Sequence, residues 1–83
     1  MNPEQIERLI REATQAEQVI LSGEGCNLDV VVVSPSFEGK SPLQRQRMVY
    51  AAVDELLRSG ELHALSLKTL TPGQWVASGG EAG

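Results

Sequence analysis

A four-residue pattern occurs three times in this chain: a capping residue, proline, any residue, then glutamine. It reads Asn2-Pro3-Glu4-Gln5, Ser41-Pro42-Leu43-Gln44 and Thr71-Pro72-Gly73-Gln74. A side-chain oxygen at the first position can accept from the backbone two or three residues on. Proline sits where its missing N–H costs nothing, and the glutamine can reach back to close a capping box. The pattern therefore predicts three helix starts, which divide the chain. Behind the first, Ile6, Leu9, Ile10 and Ala13 mark one face of a helix to about residue 14, with Glu7 and Arg11 as an i,i+4 pair. Behind the second, Leu43, Val49, Ala52, Val53, Leu56 and Leu57 turn toward a core until Gly60 stops the helix. The third opens a short turn that docks Trp75.

Strands fill the intervals. Val19 to Leu21 reads as a short one, the Gly23-Glu24-Gly25 loop reverses the chain, and Leu28 to Val33 is a β-branched run in hairpin geometry. Ser34-Pro35-Ser36 ends that run, and Phe37-Glu38-Gly39-Lys40 bridges to the long helix. Residues 64–70 alternate, with Leu65 and Leu67 inward and Ser66 and Lys68 outward. The order is helix, strand, strand, long helix, strand, short helix, an α+β arrangement. Its Leu28–Val33 strand, long helix and Leu65–Leu67 strand form a βαβ unit, expected to be parallel and right-handed. One domain over residues 1–77 is expected, followed by a flexible Gly-rich tail, 78–83. Phe37 and Trp75, each the only residue of its type, sit at corners and read as structural pins.

Parallel strands start at one sheet edge, and this gives meaning to two singletons. Cys26 is the only cysteine and stands two residues before Leu28; His63 is the only histidine and stands two before Leu65. Thiolate and imidazole are good ligands for zinc and iron. Two donors do not close a tetrahedral site, and Glu24 and Glu61 are poorly suited to complete an iron–sulfur centre. The spacing leaves two readings: half of a site that a partner completes, or a strand-edge thiol beside a surface imidazole. A Cys–His nucleophile and base lacks an orienting third group, and so small a chain has little volume for a closed substrate pocket, so an enzyme is not expected.

Charge limits the partners. The net charge of -4 argues against a general nucleic-acid coat, because that affinity is mostly phosphate neutralisation. Five of the seven basic residues, however, lie from Lys40 onward: Lys40, Arg45, Arg47, Arg58 and Lys68. Gly39-Lys40-Ser41 is not a phosphate loop, since the upstream glycine of that motif would fall on Ser34. What remains is a Gly-Lys step at a helix start, with Arg45 and Arg47 one turn in, which could hold a phosphate or be simply solvated. A lone cysteine excludes an internal disulfide framework, no apolar run approaches a membrane span, and the first residues do not read as a signal peptide. A cytoplasmic protein with no membrane contact is the expectation.

Two stretches together carry a family resemblance: Val33-Ser34-Pro35-Ser36-Phe37-Glu38-Gly39-Lys40-Ser41-Pro42-Leu43-Gln44-Arg45-Gln46-Arg47 and Leu62-His63-Ala64-Leu65-Ser66-Leu67-Lys68-Thr69-Leu70-Thr71-Pro72-Gly73-Gln74-Trp75. With their F-E-G-K, L-Q-R-x-R and H-A-x-S-x-K-T-x-T-P-x-x-W elements the chain closely resembles the BolA family. The resemblance implies a class II KH-like fold, in the order α-β-β-α-α-β-α. A three-stranded mixed sheet would be covered by helices on one face. It also implies a partner, a monothiol CGFS-type glutaredoxin, which with glutathione shares a [2Fe-2S] cluster; no cluster is expected on the isolated chain. The family histidine falls on His63, and the second ligand position, histidine or cysteine in the family, falls on Cys26. The chain is thus similar to the cysteine-type branch, associated with iron–sulfur cluster assembly, delivery and iron regulation. The alternative function that the resemblance offers is transcriptional regulation through DNA, with Lys40, Arg45, Arg47 and Lys68 as the contacts. The acidic balance makes that contact weak at physiological salt.

Overall fold

The computed structural model describes residues 3–24 and 27–79. Helix α1 (Pro3–Thr14) leads into strands β1 (Gln18–Glu24) and β2 (Asn27–Val33). A single 3₁₀ turn (Pro35–Phe37) and helix α2 (Pro42–Ser59) follow, then strand β3 (Ala64–Leu70) and helix α3 (Pro72–Ala77). The sheet order is β1-β2-β3; β1 runs antiparallel to β2, and β3 parallel to it. This is the mixed sheet expected of an α-β-β-α-α-β-α chain, with the 3₁₀ turn as the first of the two consecutive helical elements.

Two of the three capping patterns close. Ser41 Oγ accepts from the Gln44 amide at 3.2 Å while Gln44 Oε1 accepts from the Ser41 amide at 2.9 Å. Thr71 and Gln74 repeat the exchange at 3.2 and 2.9 Å. The cap proposed at Asn2 lies outside the described residues. Helix α2 ends at Gly60, whose φ of 82° is left-handed and suits a residue with no Cβ.

Helices α1 and α2 pack on one face of the sheet. The core joins Ile6 and Ile10 of α1, Val49, Val53 and Leu56 of α2, and Leu28, Val30 and Val32 of β2, with Phe37 and Leu62 closing it. Successive strand residues point to opposite faces, so Asp29 and Val31 belong to the other side. By the register, Ile20 and Lys68, both paired with Val31, stand there too.

Three expectations change. Strand β1 continues through Gly23 and Glu24, which pair with Leu28 and Asn27 and so are not part of a loop. The length of β2 sets that pairing, and Gly23 accommodates it with a φ of 113°. Ala13 is exposed, and Thr14 takes the inward position instead, its hydroxyl donating to the Ile10 carbonyl at 2.7 Å. Leu43 is 56% exposed. At ~100° per residue it lies about 120° around α2 from Val49, whereas Arg45 lies within about 40° of Val49. Arg45, not Leu43, faces inward on the first turn.

A candidate ligand edge and a basic residue used internally

Strands β2 and β3 begin level: Asn27 is paired with Ala64 and Leu28 with Leu65. His63 immediately precedes Ala64, and its side chain is exposed. Its placement is set from behind. The Gly60 amide donates to Leu57 O at 3.4 Å, the Leu62 amide donates to Leu56 O at 3.1 Å, and Leu62 is buried in the core. The chain therefore leaves α2 through a pinned turn, and His63 stands between a buried leucine and the first residue of a paired strand. Cys26, the residue before Asn27 in sequence, lies outside the described residues. Among the described residues no three His, Cys, Asp or Glu side chains gather to hold a metal ion. Among the described residues, the nitrogen donor at this edge is the exposed His63 imidazole, a borderline ligand suited to iron or zinc.

The basic residues separate. Arg45 donates from Nε to Lys40 O at 3.0 Å, and from one terminal nitrogen to Gln74 Oε1 at 3.0 Å and to Thr69 O at 3.4 Å. Its guanidinium carbon also stands 5.7 Å from the centroid of the fully buried Phe37 ring, within cation–π range. Arg45 thus ties the turn before α2, the end of β3 and the start of α3 together. Arg47 lies on the outer face of α2, along a shallow groove with Leu43, Tyr50 and Asp54. Lys68 is exposed on the sheet face away from α2, so Arg47 and Lys68 do not share a surface. Lys40 is exposed in the turn preceding α2.

Phe37 is at the centre of the core, whereas Trp75 is half-buried on α3, a helix with no fully buried residue. The sequence reading missed Gln74 as an anchor for Arg45. One Oε1 atom closes the α3 capping box and accepts from Arg45 as well. The repeated Gln at the third helical position was the visible signal. Its second role needed the fold.

The sheet order, the level parallel strands and the helices on one face define an α+β, KH-like architecture. A family model described as BolA-like protein matches residues 4–74. The chain belongs to the BolA family, which makes it a non-catalytic regulatory or adaptor protein. It is 36% identical over 75 residues to an uncharacterized protein from the rpoN-murA intergenic region of Acinetobacter guillouiae, covering 90% of each chain. Among solved structures it is similar to a bol-like protein from Babesia bovis, with a TM-score of 0.80, 30% identity, and coverage of 95% and 94% of the two chains. A BolA homologue from Coxiella burnetii gives a TM-score of 0.76 at 36% identity, covering 92% and 97%.

Proposed function

We propose that this chain is a non-enzymatic adaptor in iron–sulfur cluster assembly or trafficking, acting in the cytoplasm with a monothiol CGFS-type glutaredoxin and glutathione. In this reading a [2Fe-2S] cluster is cargo shared between the proteins. Cys26 and His63 donate from this chain, and the partner and its glutathione supply the other thiolates. The observation that carries the reading is the level start of β2 and β3. Asn27 and Ala64 are partners in the parallel register, and the two candidate donors are the residues that precede them in sequence. Family membership supports the same reading, because the motif resemblance implies ligand roles for Cys26 and His63.

The chemistry asked of this chain is modest. An exposed imidazole next to a paired strand can reach an iron held by another protein without any rearrangement of the core. Cys26 would be the second donor as its thiolate, and the proton that its thiol loses on binding makes assembly favour higher pH. The test is to mix the chain with a monothiol glutaredoxin, glutathione and iron–sulfur precursors. The isolated complex is then read by visible absorbance, circular dichroism and iron content. A cluster whose spectrum and lifetime change when Cys26→Ala and His63→Ala are combined is expected. A spectrum and stability untouched by the double substitution would overturn the assignment.

A further inference from the structure

The geometry at the end of α2 gives Gly60 a role beyond stopping a helix, and we infer that it is a positioning residue for the His63 imidazole. The inference rests on the reading of His63 as a donor. Gly60 has a φ of 82°, and the segment after it is held by the Leu62 amide on Leu56 O and by burial of the Leu62 side chain. His63 therefore has a fixed backbone and an exposed ring. Apart from the two chain neighbours, a Cβ built on Gly60 would have one heavy atom of the described residues within 4 Å, the His63 Nε2 at 3.9 Å. That is van der Waals contact with no overlap, so a methyl there would be tolerated sterically. It would nevertheless cover one flank of the nitrogen with which the ring can bind a metal. The missing side chain keeps that flank open to a partner-held iron.

A helix stop alone makes a different demand. It needs a residue that accepts the left-handed conformation, and asparagine, the usual alternative to glycine there, does so with less strain than other side chains. Only the positioning role requires that no side chain be present. Gly60→Asn and Gly60→Ala therefore separate the two roles: both add a Cβ beside Nε2, but only alanine is badly strained at positive φ.

The experiment uses the isolated chain and diethylpyrocarbonate, which acylates imidazole nitrogen. His63 is the only histidine, so the ultraviolet signal reads one site. Gly60→Asn is expected to keep a Tm close to the parent's and to slow acylation several-fold. Gly60→Ala is expected to slow acylation while lowering the Tm. Parent-like acylation in both folded variants would overturn the inference and leave Gly60 as a helix stop only. If Gly60→Asn fails to fold, the rate for Gly60→Ala, measured well below its Tm, decides alone. In the mixed complex with glutaredoxin and glutathione, Gly60→Asn is expected to shorten the cluster's lifetime. A cluster unchanged by His63→Ala would sink the donor reading, and with it the purpose assigned to Gly60. A cluster lost in His63→Ala but intact in Gly60→Asn, with unchanged acylation, would sink the Gly60 inference alone.

Discussion

The two ends of the parallel β2–β3 pair are built in opposite ways. Where the strands finish, polar groups are densely tied. Ser34, fully buried, donates to the Thr14 carbonyl at 2.5 Å and accepts from the Ser36 amide at 3.1 Å, while Ser36 Oγ donates to the same Thr14 carbonyl at 2.6 Å. Arg45 joins Lys40, Thr69 and Gln74 a few residues away. Where the strands start, the structure offers an exposed histidine behind a glycine turn. The difference teaches a division of labour: the finishing end holds α1, α2 and α3 to the sheet, and the starting end leaves a side chain available to something outside the chain.

Substitutions at four positions bear on this comparison, in decreasing order of expected effect on stability. Phe37→Ala removes the largest fully buried side chain and should cost about 3–5 kcal/mol, read by urea unfolding. A loss under 1 kcal/mol would mean that the finishing end is not anchored there. Ser34→Ala takes a buried hydroxyl away from the Thr14 carbonyl and the Ser36 amide and should cost ~1–3 kcal/mol. Arg45→Met keeps the stem over Phe37 but loses the three polar ties, for about 1 kcal/mol. Faster amide exchange confined to α3 would show that Arg45 holds that helix, and Arg45→Lys should rescue little because lysine lacks the planar fork. His63→Ala, at an exposed position, should move stability by no more than ~0.5 kcal/mol while changing the spectrum and lifetime of the cluster we propose to be shared with a glutaredoxin. A large stability loss there would erase the contrast between the two ends.

Much of the fold was legible because its signals are local. Two capping boxes, the glycine stop at residue 60 and the β-branched run of β2 are each carried by a few adjacent residues. The βαβ order then made β2 and β3 parallel, and counting back from Leu28 and Leu65 gave the observed register. What was misjudged depended on partners distant in the chain. Leu43 looked apolar and therefore inward, but a cationic stem over Phe37 held the inward site on that turn. Gly23 and Glu24 looked like loop residues until β2 supplied a strand to pair with them. In the candidate site, His63 was legible as a singleton at a strand start. The 3.9 Å approach of its ring to the Gly60 position was not, because nothing in the sequence says which rotamer an exposed imidazole takes.

The level start of β2 and β3 has a consequence for how chains of this kind can change length. Residues can be added in the turn between the 3₁₀ segment and α2, or after α3, without moving the two strand starts relative to one another. A residue added between Gly60 and Ala64 has no such freedom. It either carries His63 away from the sheet edge or shifts β3 by one position and turns Leu65 and Leu67 out of the core. Homologous chains should therefore vary in length at those two places and keep the number of residues between Gly60 and Ala64 at three, with side-chain identity secondary at Glu61.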